Sequence, residues 1–269
     1  MIRLRGKRPQ RLIVALYTAT VVLALYLPIV VVALLSVNDA SVPGFPIRHL
    51  TLRWFRLGLS SDACLAAIGN SIGVGVISAT VATAMALLLA LSVRRDLRIK
   101  GVIVNVLFVP IILPGVVAGA AIFTMFRLLH LPISLWTSAL CGHITYVLPF
   151  AFLSINSRLQ DFDRSIEEAA RDLGATAQQV ALKITIPLIS PAIIAAWLFA
   201  FSLSFDEFVR TLLLTSYDRT LPIQFWYMIV ETLAPEAPAM AVIIIVISVA
   251  TSVVAFYLRG PTKKRILSA

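Results

Sequence analysis

The chain has 269 residues, of which 59% are hydrophobic and only 13% are charged. Soluble domains average about half apolar and about a quarter charged residues, and one soluble core of this length cannot bury so much apolar surface. The composition therefore excludes a soluble enzyme and a disordered chain.

Six stretches longer than 20 residues contain no Asp, Glu, Lys or Arg. Because about 20 apolar helical residues cross a bilayer, each stretch is long enough for one membrane span. The predicted spans are residues 12–37, 65–93, 102–126, 133–156, 188–208 and 238–258. The first stretch is too long for the apolar part of a signal peptide, so we interpret it as an uncleaved span. We expect an all-α membrane protein with six transmembrane helices.

The basic residues fall mainly on one side of these spans. The net charge is +10, and 17 of the 23 Lys and Arg residues lie in the N-terminal tail, residues 94–100, residues 158–183 or the C-terminal tail. Cytoplasmic loops are enriched in Lys and Arg, so both termini are predicted to be cytoplasmic. The basic excess then reflects orientation, and no nucleic-acid partner is expected. No linker interrupts the sequence, which predicts a single transmembrane domain over residues 1–269.

Several residues within the spans indicate how the helices pack. Glycines four residues apart allow helix backbones to approach closely, and two such pairs occur, Gly69 with Gly73 and Gly115 with Gly119. Prolines predict kinks or unwound turns, at Pro28, Pro110, Pro114 and Pro149. We expect His143 to hydrogen-bond to a neighbouring helix, with a proton relay as the alternative. The cysteines and histidines are isolated along the chain, and no metal site is predicted.

The longest predicted cytoplasmic loop, residues 158–187, begins with the pattern of an amphipathic helix. Apolar residues recur at helical spacing on one face, at Phe162, Ile166, Ala169, Ala170 and Leu173. Ser165 and Glu168 have the spacing of a capping box, and Gly174 is placed to end the helix in a left-handed turn. An amphipathic elbow lying on the membrane surface is an alternative interpretation of this pattern.

A second helix is predicted directly after this turn. Thr176 and Gln179 have the spacing of another capping box. The helix that they open is predicted to end before Pro187, with Ser190 capping the next helix and Pro191 as its first residue.

The same loop resembles the EAA loop of bacterial ABC-importer permease subunits. That loop has the pattern E-A-A, three residues, G, nine residues, I-x-L-P, and this chain departs from it only in Ile186, which replaces leucine. The matching positions are Glu168, Ala169, Ala170, Gly174, Ile184 and Pro187. The resemblance implies that residues 158–187 form a coupling loop. It would dock in a groove of a cytoplasmic ATPase through Glu168, Ala169 and Ala170, with Gly174 forming the turn.

Nearly the whole chain resembles the spermidine/putrescine branch of this family. The similar segments include YLPIVVVALLSVN in span one, TLRWF in the next outer loop and SFDEFVRTLLLTS after span five. The resemblance implies the type I ABC-importer permease fold in a bacterial inner membrane and the import of a polyamine. The implied partners are a second permease subunit in a heterodimer, two ATPase subunits that bind ATP and Mg, and an extracytoplasmic solute-binding protein. This chain lacks a G-x-x-x-x-G-K-[ST] loop, and we expect a transport subunit that binds no cofactor and is no enzyme.

Other functions stay open at this point. The same importer type carries other small solutes, such as opines, amino-acid derivatives or phosphonates. A secondary carrier driven by an ion gradient is a further alternative, although such carriers usually have more spans and intramembrane ion ligands. A membrane enzyme is disfavoured, because no acid, base and nucleophile converge within the spans.

Two carboxylates after span five are candidates for the substrate path. If span five starts at Pro191, twenty residues end near Arg210, and Asp206 and Glu207 lie within the outer turns. A carboxylate there is costly unless it faces water, a partner or a ligand, so we expect these two to receive a cationic solute. One alternative is that Asp206 pairs with Arg210 four residues further on. The other is a helix that starts nearer Pro187, which would place both carboxylates in the outer headgroups.

Overall fold

The computed structural model describes residues 8–47, 49–94 and 100–258. The two tails and residues 95–99 lie outside the described residues. Many of the basic residues that predict the orientation belong to these segments, so the cytoplasmic location of both termini stays a prediction.

The described residues are almost entirely helical, apart from one isolated β-bridge between Asn38 and Leu50. The helices are α1 (Arg8–Ser36), α2 (Arg53–Ser60), α3 (Asp62–Val93), α4 (Lys100–Ile112), α5 (Gly115–Leu128), α6 (Leu140–Gln160), α7 (Ser165–Asp172), α8 (Ala177–Val180), α9 (Ile186–Phe205), α10 (Val209–Leu214), α11 (Leu221–Val230) and α12 (Ala237–Leu258). Two π-helical turns, Leu135–Ala139 and Ala181–Thr185, lead directly into α6 and α9.

Five helical stretches are long and apolar enough to cross a membrane. They are Leu12–Ser36, Asp62–Val93, Leu135–Gln160, Ala177–Phe205 and Ala237–Leu258. A sixth candidate consists of α4 and α5, which are bent by 107° relative to each other. The all-α class predicted from the sequence is confirmed, with six spans when the bent pair is counted as one.

The bend between α4 and α5 coincides with a proline. Pro114 caps α5 in an extended conformation, with φ −54° and ψ 139°. A proline cannot donate a helical hydrogen bond and disfavours helical geometry in the residue before it, so the break predicted at this position is confirmed. Pro28, Pro110 and Pro149 lie inside continuous helices instead.

The chain divides into two compact units. The first comprises Met1–Ser61 and Tyr227–Ile243, and the second comprises Asp62–Trp226 and Ile244–Ala269. In the first unit, the buried Trp54 of α2 donates its indole N–H to the carbonyl of Asn38 at 2.7 Å. Residues 12–30 of α1 are mostly apolar, and all of them are exposed in this chain. The single domain expected from the sequence stays a prediction.

The core of the second unit lies where α3, α6 and α9 pack together. Its buried positions are mostly small, which allows the helices to approach closely; they include Ala67, Ala79, Ala82, Ala86, Ala90, Ala151, Ala195, Ala196 and Ala200. Of the predicted close-approach glycines, Gly119 meets α10 so tightly that an added Cβ would lie 2.9 Å from Leu213. Gly73 faces the ring of Trp136, whereas no atom of the described residues lies within 4 Å of a Cβ built on Gly69, and close approach of a helix at Gly69 stays a prediction.

The prediction that a helix ends before Pro187 is wrong. The stretch Ala177–Phe205 is one continuous helical span, in which the π-helical turn Ala181–Thr185 immediately precedes the α-helical start at Ile186 and Pro187. In the π-helical turn the Ile186 N–H bonds to the Ala181 carbonyl five residues earlier, and this local change of hydrogen-bond pattern lets the helix continue through Pro187, which donates no hydrogen bond of its own. Ser190 and Pro191 accordingly lie inside α9 and do not begin a new helix.

Candidate coupling loop and solute path

The helix α7 ends in a complete Schellman motif. Gly174 has φ +86°, a conformation that glycine adopts without the steric cost that a Cβ would bring. The N–H of Gly174 bonds to the carbonyl of Arg171 at 2.8 Å, and the N–H of Ala175 bonds to that of Ala170 at 3.0 Å. The left-handed turn predicted at Gly174 is confirmed.

The two predicted capping boxes differ in outcome. At α8, the Thr176 hydroxyl accepts from the Gln179 N–H and the Gln179 side chain accepts from the Thr176 N–H, as predicted. At α7, Ser165 is the first helical residue and not the cap. The Asp163 carboxylate accepts from the Ser165 N–H at 3.0 Å instead, so the box of Ser165 with Glu168 is wrong. Asp163, two positions before Ser165, therefore satisfies the backbone N–H at the start of α7.

The residues that match the EAA pattern lie mostly on the surface of this chain. Glu168, Ala169, Gly174 and Pro187 are exposed, and Ala170 and Ile184 are partly buried. Two apolar side chains of the same helix are also open, because Ile166 is 43% exposed and Leu173 is 89% exposed. The face of α7 with its mixed apolar and charged surface is therefore free to contact another protein.

The buried acid of α7 is Glu167, which the sequence did not single out. Its Oε1 accepts from Arg94 Nη1 at 2.8 Å and from the Thr185 hydroxyl at 2.6 Å. Arg171 lies 3.9 Å from Oε2. Burial raises the pKa of the Glu167 carboxyl, but the hydrogen bonds from Thr185 and Arg94 outweigh it and hold the pKa below its usual value. Glu167 is therefore ionised at neutral pH and joins three segments of the chain.

The two candidate path carboxylates have different surroundings. Since α9 ends at Phe205, Asp206 caps it and Glu207 follows, so the assumption of a helix from Pro191 to Arg210 is wrong. Asp206 is exposed, and the Ser248 hydroxyl donates to it at 2.5 Å. Glu207 is buried and bonds to both the backbone N–H and the guanidinium of Arg210, each at 2.9 Å. The alternative pairing of Asp206 with Arg210 is therefore wrong, and Glu207 is the partner.

A buried polar chain lies next to this ion pair. Thr211 donates to the Glu207 carbonyl, so its hydroxyl oxygen is left to accept from His143 Nε2 at 2.8 Å. The other ring nitrogen, Nδ1, then accepts from Ser204 at 2.6 Å, and Ser204 accepts from Ser78 at 2.8 Å. The bonds run in one direction and link α3, α6, α9 and α10. The predicted hydrogen bonding of His143 to neighbouring helices is confirmed.

Arg210 is also held by an aromatic ring. Its guanidinium carbon lies 4.1 Å from the ring centre of Tyr146 on α6, a distance typical of a cation–π contact. Neither Tyr146 nor Thr211 carried a sequence signal, because Arg210, the partner of Tyr146, and His143, which bonds to the Thr211 side chain, lie far from them along the chain. The one available hint was a basic residue three positions after Glu207, at a spacing that also permits pairing along a helix.

The comparisons with known proteins agree with this architecture. The family model for "Binding-protein-dependent transport system inner membrane component" matches residues 82–260, about two thirds of the chain. The chain belongs to this family. It is therefore a permease, the membrane-spanning subunit of an ABC importer.

Two relatives are similar to the permease over most of its length. The spermidine/putrescine transport system permease protein PotC of Escherichia coli (strain K12) is 35% identical over 227 residues, which covers 83% of this chain and 85% of PotC. The putrescine transport system permease protein PotI of the same strain is 30% identical over 271 residues, which covers 96% of this chain and 94% of PotI.

Solved structures share the fold of the permease. A chain from a bacterial ABC transporter involved in the import of the acidic polysaccharide alginate matches with a TM-score of 0.72 at 16% identity, over 97% of both chains. A chain of the MetNI methionine ABC transporter, in an inward-facing conformation, matches with a TM-score of 0.53 at 15% identity, over 74% of this chain and 99% of that one. At these identities the likeness concerns the fold alone.

Proposed function

We propose that this permease forms the translocation path of a bacterial inner-membrane importer for a polyamine such as putrescine or spermidine. The observation that carries the proposal is the 35% identity to a spermidine/putrescine permease over 83% of the chain. In the working transporter, the permease pairs with a second permease subunit. Two cytoplasmic ATPase subunits bind ATP and Mg and supply the energy, and an extracytoplasmic binding protein delivers the solute.

The exposed face of α7 supports the docking of the ATPase at this loop. Small side chains at Ala169 and Ala170 let a helix sit deep in a groove, and Glu168 beside them adds an exposed charge. The Schellman motif at Gly174 fixes the direction in which the chain leaves α7. Closure of the ATPase dimer on ATP would move this helix, and the spans would tilt to open the path outward. Hydrolysis would reverse the motion.

Asp206 supports a cationic solute. It is exposed, and no Lys or Arg of the described residues lies within ion-pair distance of it. A primary ammonium group could therefore bind this carboxylate without first displacing an internal cation. Glu207 differs, because Arg210 already balances its charge. Of the two carboxylates, Asp206 is the proposed solute contact. Glu207 is buried beside it and is not proposed to bind the solute.

The test is uptake of labelled putrescine and spermidine into proteoliposomes that contain the permease with its partner subunits and the binding protein. ATP-dependent, vanadate-sensitive uptake is expected. Asp206→Asn should lower it, whereas the matched control Ser248→Ala, which removes only the hydroxyl that bonds to Asp206, should retain most of it. Uptake that an ionophore abolishes and that ignores ATP would contradict the proposal in favour of a secondary carrier. Undiminished uptake by Asp206→Asn would exclude the proposed solute contact.

Arg210 favours one alternative solute class. A solute carboxylate that displaced Glu207 from Arg210 would be held by the guanidinium while Asp206 held an ammonium group, which suits a solute with both groups, such as an amino-acid derivative. Competition of unlabelled amino-acid derivatives against labelled putrescine distinguishes the two classes. Strong competition by the zwitterion and weak competition by spermidine would favour the alternative.

A further inference from the structure

Glu167 bonds to more side chains than any other charged residue of the loop. Oε1 alone accepts two bonds, from Arg94 at 2.8 Å and from Thr185 at 2.6 Å. The side chains of Glu167 and Arg94 are 11% and 13% exposed, so water and salt screen their attraction less than they screen a surface pair. Among the described residues, Glu167 is the only carboxylate within ion-pair distance of Arg94.

The partners of Glu167 belong to two different spans. Arg94 directly follows the last residue of α3, and Thr185 closes the π-helical turn that leads into α9. Both helices pack against α6 in the core of the second unit. Arg94 also lies over the ring of Phe162, 5.5 Å from its centre, just before α7 begins. One carboxylate therefore connects α7 to the ends of both α3 and α9.

We propose that Glu167 is the positioning residue through which movement of α7 is passed to α3 and α9. The inference rests on the proposed docking of the ATPase at α7. The two neighbouring acids then have different roles. The exposed Glu168 contacts the ATPase, and the buried Glu167 connects the docked helix to the spans. The chain segments at its two ends and its packing against α8 also hold α7, but among the described residues Glu167 makes the only salt bridge from α7 to the end of α3.

The lowered pKa of the Glu167 carboxyl is consistent with this role, because the carboxylate stays charged at neutral pH. The charge makes both bonds stronger than neutral ones. The buried ion pair also resists separation, since Arg94 would be left without a carboxylate among the described residues and Glu167 with only the more exposed Arg171.

The experiment is a double-variant cycle read as solute imported per ATP hydrolysed, in proteoliposomes with all subunits. The variants are Glu167→Gln, Arg94→Gln and the two combined. Glu167→Gln leaves the buried Arg94 without a counter-charge among the described residues, and Arg94→Gln leaves Glu167 with only the more exposed Arg171 at 3.9 Å. We expect the ratio to fall about tenfold in each, within the usual range of coupling between sites. The double variant replaces the ion pair by two amides that can hydrogen-bond, so the ratio should recover to within about threefold of wild type. Lys183→Gln is the matched control, since it removes an exposed charge of the same loop.

Co-purification of the ATPase with each variant separates the possible outcomes. Retained association and retained ATP hydrolysis with a low import ratio support the inference. Loss of ATPase association in Glu167→Gln would overturn it, because the contact would then only shape the docking surface. A normal ratio in both single variants would also overturn it. Failure of wild type itself to show ATP-dependent uptake would instead refute the proposed function on which the inference rests.

Discussion

The ion pair of Glu207 with Arg210 stands where a soluble protein would rarely place charges. Both side chains are 8% exposed, and taking two charges out of water is costly even when they attract each other. Here the cost is offset by a second bond from the Arg210 backbone to Glu207 and by the Tyr146 ring beneath the guanidinium. The pair is therefore stable as a unit and sensitive to the loss of either member.

Arg210→Leu should destabilise the permease strongly, because Glu207 would be left buried without a counter-charge. We expect a loss of about 3–5 kcal/mol, as for other broken buried pairs. Thermal unfolding in detergent measures the effect. Adding Glu207→Gln to Arg210→Leu should restore most of the stability, and a double variant as unstable as the single one would contradict the charge argument.

The lowered pKa of Glu167 predicts how the stability of the permease changes at acid pH. Its folded-state pKa is lowered, so its contribution to stability is complete above the unfolded value of about 4.3 and is lost as pH falls through the lower folded value. The stability difference between wild type and Glu167→Gln should stay constant from neutral pH down to about pH 5 and shrink below it. A difference that shrinks already near pH 7 would show that the carboxyl is not held in its charged form.

At the scale of elements, Gly174 distinguishes two costs of adding a side chain, steric overlap with neighbouring atoms and backbone strain. A Cβ built on Gly174 meets no atom of the described residues within 4 Å, so within this part of the chain the cost of a side chain comes from the positive φ of Gly174. Asparagine tolerates the left-handed region better than a β-branched residue. Gly174→Asn should therefore keep much of the uptake, whereas Gly174→Val should insert normally but lose coupling.

Immunoblots of membranes and uptake in proteoliposomes check this pair of variants. If Gly174→Val failed to insert, the residue would serve membrane assembly instead. If Gly174→Asn and Gly174→Val were equally inactive, contact with the ATPase and not backbone strain would set the limit.

In the loop, contacts between residues close together in the sequence could be predicted, and contacts between distant residues could not. Gly174 and the box of Thr176 with Gln179 depend on neighbours within five residues, so their pattern predicted the structure. Helix continuity through Pro187 was missed because a π-helical turn, which has no sequence signature here, brings the proline into a first turn. The contact of Glu167 with Arg94 joins residues 73 positions apart. No periodicity in one sequence encodes such a pair.

At the scale of the whole molecule, the spans were predictable because the bilayer acts as a solvent that rejects charge over about 30 Å. That rule gives the length and apolar character of each helix but not the side that it buries. The alanine-rich contact of α3, α6 and α9 and the open surface of α1 both consist of apolar sequence. Which of the two faces protein depends on shape, and hydrophobicity alone does not encode it.

The bend between α4 and α5 has a consequence for the surrounding lipid. With 13 and 14 residues, the two helices are each about 20 Å long, and a bend of 107° leaves their far ends only about 24 Å apart. This is shorter than the hydrocarbon layer of a typical bilayer, about 30 Å, so the pair reaches across the layer only where the bilayer thins beside it or the bend opens. Import should therefore be faster in vesicles of short-chain lipids than of long-chain ones, and Pro114→Ala, which permits a straighter pair, should move the optimum toward thicker bilayers.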